Sequence, residues 1–183
     1  SDFWPGEYQK TYVKAFPTYD DVLDGLRSGR IFAVAGDLVT ELDVTASVAG
    51  DQAEAGGTLT LARGTSVDVT IRFRDPTTLN AAGEDPSVSR VDLIVGRLHP
   101  PLADHRIDRN PTARVAQRFD AAGWRRSGEV VTISTRVSAG QHGVYLRVRG
   151  TSTTELEPAP DTAGESPWQD LWFYSNPIFV EVE

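Results

Sequence analysis

The chain has 183 residues, a formal net charge of -8, 39% hydrophobic and 24% charged residues, and no cysteine, which fits one generous domain or one domain plus a fragment of a neighbour. The acidic balance and scattered basic residues argue against nucleic acid, whose phosphates demand clustered Lys and Arg, and the lack of cysteine excludes disulfides and thiolate chemistry. No apolar run approaches the ~18 residues of a membrane-spanning helix, and no signal-peptide pattern is present, so no membrane partner is expected and the compartment stays open. Methionine is absent even at position 1, so the chain is expected to begin at a processed end or at a cut inside a longer protein.

In chain order, "TYVKAF" (11–16) begins with a short β-favouring run. "PTYDDVLDGLRSGR" then predicts a helix, with Thr18 as N-cap, Asp20 and Asp21 in the first turn where the macrodipole favours anions, and Gly29 as the stop. Tyr19, Val22, Leu23 and Leu26 fall at i, i+3, i+4 and i+7, a single apolar stripe. "IFAVAG" reads as a buried strand, so residues 1–36 form a strand-helix-strand crossover, which cannot stand alone as a sheet.

From residue 37 onward the pattern changes to period two. Leu42, Val44, Ala46 and Val48 share one face, then Leu59 and Leu61. Val67, Val69, Ile71 and Phe73 alternate with Asp68, Thr70, Arg72 and Arg74. Residues 89–98 read as a more fully buried strand and 113–119 as a shorter one. In 129–137, Val131, Ile133, Thr135 and Val137 point inward. In 143–150, Val144, Leu146 and Val148 oppose Tyr145, Arg147 and Arg149, and the closing strand is "NPIFVEVE". This is a mainly β chain, an antiparallel immunoglobulin-like or fibronectin-like β-sandwich over 37–183, with an all-β barrel as the structural alternative.

Two polar excursions interrupt the strands. Residues 99–112 carry His99, Asp104, His105 and Asp108, a conceivable weak zinc or manganese site, although solvated loop residues are the favoured reading. Residues 151–170 exceed the usual loop length, and Asp161, Glu165 and Asp170 could gather around calcium, though at no EF-hand spacing. No H-x-H, H-E-x-x-H, G-x-S-x-G, G-x-G-x-x-G or Walker loop occurs, so no catalytic residues are assigned.

"SPWQDLWFYSNPIF" concentrates Trp168, Trp172, Phe173 and Tyr174. Aromatics in a sandwich loop can stack on sugar rings, which makes Trp168, Asp170 and Trp172 the candidate ligand-binding residues, for a carbohydrate or a protein. The favoured reading is that these aromatics cap the core or pack on a neighbouring domain, with Phe3, Trp4 and Tyr8 as candidates to join them.

"DFWPGEYQKTYVKA", "YDDVLDGLRSGRIFAVAGDL", "YLRVRGT" and "PWQDLWFYSNPIFVEV" together resemble the C-terminal region of larger bacterial PHP-type (polymerase and histidinol phosphatase) metallohydrolases. The resemblance implies that 1–36 are the last crossover of a distorted (β/α) barrel and that a β-sandwich follows it. It further implies a parent enzyme with two or three divalent metals (zinc, manganese or iron) that hydrolyses phosphoesters or related bonds. The family's metal ligands do not carry over. Its histidine motifs have no match, and in Ser1-Asp2-Phe3-Trp4 a tryptophan stands where its D-x-H motif needs histidine. The expectation is therefore a non-catalytic accessory sandwich without cofactors of its own, whose partner is a catalytic domain outside this chain. An independent binding module is the alternative.

Overall fold

The computed structural model describes residues 3–98, 109–160 and 163–183. Two sheets face each other, and the alternating positions read from the sequence fill the space between them. The five-stranded sheet runs β4 (Asp51–Glu54), β3 (Glu41–Val48), β6 (Ser66–Arg74), β10 (Val130–Ser138) and β9 (Arg125–Ser127). The eight-stranded sheet is centred on β11 (Val144–Thr151). One edge of β11 pairs with β7 (Arg90–Arg97), which pairs in turn with β8 (Arg114–Phe119). Its other edge is shared by β12 (Trp172–Ser175) and β13 (Ile178–Val182). The strand order matches the immunoglobulin-type two-sheet arrangement, as the sequence pattern predicts.

Val67, Val69, Ile71 and Phe73 of β6 are all buried, as are Val131, Ile133 and Val137 of β10 and Val144, Leu146 and Val148 of β11. Period-two patterning puts each set on the inner face. Phe73 and Phe173 meet across the sandwich with ring centroids 5.8 Å apart, and Trp124 closes on Phe73 edge-on at 6.0 Å.

Trp172, Phe173 and Tyr174, taken above as loop aromatics, lie in a strand instead. Trp172–Ser175 form strand β12, and Phe173 is a fully buried core residue. β12 and β13 are two halves of one path interrupted at Asn176-Pro177, where proline removes a ladder donor. The outer edge of β12 pairs antiparallel with β2 (Ile31–Ala35), whereas that of β13 pairs parallel with β5 (Thr58–Leu61).

β2 in turn pairs with β1 (Gln9–Val13), and here too the structure corrects an expectation. The two strands are antiparallel, from Gln9↔Ala35 to Val13↔Ile31, so the segment is a hairpin with a helix in its connection rather than a parallel crossover. The helix, α1 (Tyr19–Arg27), follows its signals closely. The Asp21 amide donates to the Thr18 hydroxyl at 3.2 Å, and Gly29 takes the left-handed conformation at φ 72° after the last turn. α1 lies close against β1 at Gly25, where an added Cβ would meet Val13 Cγ1 at 2.5 Å. Glycine permits that approach.

Candidate functional site

Directly paired residues of neighbouring strands share one face of a sheet. On the outer face of the eight-stranded sheet one cross-strand row reads Thr11, Ala33, Tyr174, Arg149, Asp92 and Arg118, from β1 to β8. Period two alone puts this row in water. Instead Arg149 and Asp92 are buried, as are Arg90 and Trp172 beside them, because the 151–160 segment folds back over them. Arg90 Nη1 donates to the Thr154 carbonyl and Arg149 Nη2 to the Leu156 carbonyl, both at 3.0 Å.

Asp92 is the hub beneath this cover. Its side chain is 1% exposed; it accepts from Arg90 Nε and Arg149 Nε, each at 3.0 Å, and lies 3.5 Å from Arg118 Nε. Glu157 reaches in from the covering segment to pair with Arg149 at 2.7 Å and Arg118 at 3.4 Å. Burial works against the Arg149 cation, but hydrogen bonds to Glu157 and Asp92 outweigh it and hold its pKa above the usual arginine value. Trp172 sits with the Arg90 and Arg149 guanidinium carbons 5.9 and 5.5 Å from its ring centroid, within cation–π range.

Glu157 has its carboxyl lowered below the ordinary glutamate range, chiefly by the Arg149 hydrogen bond. A depressed folded-state pKa adds stability that is present above the unfolded value and is lost as pH falls through the folded one. Since the Glu157 side chain is 63% exposed, solvent screens the pair and the effect is small, below about 1 kcal/mol. Glu157→Gln is expected to lower the melting temperature slightly at neutral pH. Thermal melts across an acid titration should show that difference vanish once the wild-type carboxyl protonates.

Beside this cluster lies an open cleft. Its walls include Tyr8, Lys10 and Ala33 from the hairpin side, Pro158 from the covering segment, and Asp170, Trp172 and Tyr174. Two of the three sequence-predicted ligand residues, Asp170 and Trp172, thus line one cleft, joined by Tyr174. Trp172 is 6% exposed there, and its ring stacks on Tyr174 with centroids 6.3 Å apart. Burial, above all, raises the pKa of the Tyr174 phenol.

The third predicted residue, Trp168, has another role. It packs edge-on against Tyr8 and Phe3 at 5.1 and 5.7 Å, and the Tyr8 hydroxyl donates to the Pro167 carbonyl at 2.7 Å. Phe3 and Tyr8 therefore join Trp168 as expected, fastening the long segment to the chain's beginning, while Trp4 stays 81% exposed. Alternation in the sequence does not reveal the Arg90–Asp92–Arg149 cluster. The signal that could have found it is "RVD" in one strand against "RVR" in another, opposite charges at like-facing positions.

The other conceivable metal residues, His99, Asp104, His105, Asp108 and Asp161, lie outside the described residues. Among the described residues no group of three or more His, Asp or Glu side chains is arranged to hold a metal ion.

A second surface stands out at the hairpin. Of the predicted stripe on α1, Tyr19 is 79%, Leu26 44% and Val22 37% exposed, while Leu23 is half-buried. Phe16, just before the helix, is also exposed. The sandwich does not cover this stripe. Compared with protein-family models, with curated proteins and with solved structures, the chain has no match.

Proposed function

We propose that this chain is a non-catalytic accessory β-sandwich of a PHP-type metallohydrolase, docked through the outer face of α1 onto the catalytic domain. The observation that carries this reading is the exposed row of Tyr19, Val22 and Leu26 on α1, with Phe16 just before it, on a helix already capped at Thr18 and Ser28. Clustered exposed apolar side chains mark interaction surfaces, and the sandwich core is complete without them. The motif resemblance names the partner, since the same segment resembles the last helix before the sandwich in that family.

A double substitution, Tyr19→Ser with Leu26→Ser, is expected to change the stability of the isolated chain by less than about 0.5 kcal/mol, as surface changes do. It is expected to abolish association with the catalytic domain, read by size-exclusion chromatography of the two parts. The purified chain is expected to show no turnover of bis-p-nitrophenyl phosphate with manganese or zinc, and robust metal-dependent hydrolysis would sink the accessory reading.

A second reading, an independent module for a carbohydrate or protein ligand, draws support from the cleft of Asp170, Trp172 and Tyr174. Tyr174→Ala is its test, by loss of binding on a glycan array.

A further inference from the structure

Among the described residues, side-chain atoms that are buried without a hydrogen-bond partner concentrate on one face. They are Arg90 Nη2, Arg147 Nε and Trp172 Nε1, with Asn80 Nδ2 elsewhere in the 75–88 segment. The three on the outer face of β7, β11 and β12 are all donors. A buried donor left unpaired forfeits its hydration with nothing in return, and native structures rarely carry several together.

Charge on this face points the same way. Arg90, Arg118, Arg147 and Arg149 share this face with Asp92 and Glu157, and the ion pairs among them leave one of the four arginines over. Asp92 takes Arg90, Arg149 and Arg118, and Glu157 takes Arg149 and Arg118. Arg147 is left with no carboxylate among the described residues. It is half-buried, with its guanidinium carbon 5.8 Å from the Tyr174 ring centroid. Arg147 borders the cleft through Tyr174, and the cation among the cleft's own walls, Lys10, is paired with Asp37. In a chain of net charge -8, Arg147 is thus the arginine of this face that no carboxylate of the described residues pairs.

We propose that Arg147, with Tyr174 and Trp172, forms a binding site for a small oxyanion, a carboxylate or phosphoryl group presented at the cleft. An oxyanion brings acceptors only, which is what an excess of donors requires, and a guanidinium engages it through parallel N–H bonds. The stacked rings of Trp172 and Tyr174 offer a flat apolar wall to whatever carries the anion. The site is independent of the α1 surface, so neither proposal falls with the other.

The test is NMR titration of the whole chain with inorganic phosphate, with glucuronate and with glucose, following the Trp172 indole N–H and Arg147 Nε–H resonances. Both resonances are expected to shift saturably with at least one of the two anions, and the stronger responder tells phosphoryl from carboxylate chemistry. Glucose is expected to leave them in place. Arg147→Gln is expected to weaken anion binding about ten- to a hundredfold, the worth of a charged hydrogen bond. No saturable shift with either anion overturns the proposal, as does an equal response to glucose or unchanged affinity in Arg147→Gln. The wild-type titration decides even if that variant fails to fold.

Discussion

Gly56→Ala is expected to be among the most damaging single-methyl additions this fold can receive, costing about 3 kcal/mol or more. Gly56 has φ 84°, a region where a Cβ is strained by roughly 1–2 kcal/mol. Space is the larger obstacle. A Cβ there would overlap the Ser28 carbonyl oxygen and crowd the Gly29 carbonyl.

The position matters because three segments meet at this point. The Gly56 amide donates to the Pro177 carbonyl at 2.8 Å, the Asn176 amide donates to the Ile31 carbonyl at 3.3 Å, and the side chain of Asn176 lies against Gly29. The end of α1, the turn between β4 and β5, and the break between β12 and β13 are thus locked together. At ~2–4 °C per kcal/mol for a chain of this size, the melting temperature should fall by about 6–12 °C. Gly50→Ala is the control, with φ 99° and nothing within 4 Å of the added Cβ; strain alone should cost about 1–2 kcal/mol. Equal losses at the two positions would show that the junction is not closely packed.

Asp92→Ala carries the second large effect. Removing one partner of a buried ion pair costs about 3–5 kcal/mol, because the remaining charge stays buried without compensation. Here two buried arginines, Arg90 and Arg149, would lose their shared carboxylate at once. The expected drop in melting temperature is about 6–20 °C. Asp92→Leu combined with Arg90→Met and Arg149→Met should recover much of that loss, since apolar residues of similar volume replace buried ion-pair networks well. A mild loss in Asp92→Ala, matching that of an exposed pair such as Asp68 with Arg136, would mean that the covering segment leaves the cluster in water.

Most of the sandwich is legible in the sequence because a half-buried strand states its face every second residue. Val67, Val69, Ile71 and Phe73 announce β6 without ambiguity, and Thr18, Asp20, Asp21 and Gly29 announce α1. What local pattern does not carry is partner choice. Nothing within "TYVKAF" or "IFAVAG" says whether the two strands run parallel, and in the structure β2 pairs antiparallel with both β1 and β12. β12 itself is only four residues long and stops at Asn176-Pro177, so its aromatics read as loop.

The candidate site was legible in part. Asp170 and Trp172 line the cleft because β12 and its approach carry them there, while Trp168 turns to Phe3 and Tyr8. Arg149 was placed on a wet face by alternation. Only the return of the 151–160 segment, a long-range event, makes it a buried cation.

The proposed docking of α1 on a PHP-type catalytic domain is tested most directly by photo-cross-linking from position 19. A benzophenone side chain replacing Tyr19 would be introduced at the native genomic locus, and the adduct would be mapped by mass spectrometry. The expected result is a covalent bond to a peptide of a domain bearing histidine-rich PHP metal motifs. No adduct at all, or one confined to a protein or segment without those motifs, would contradict it.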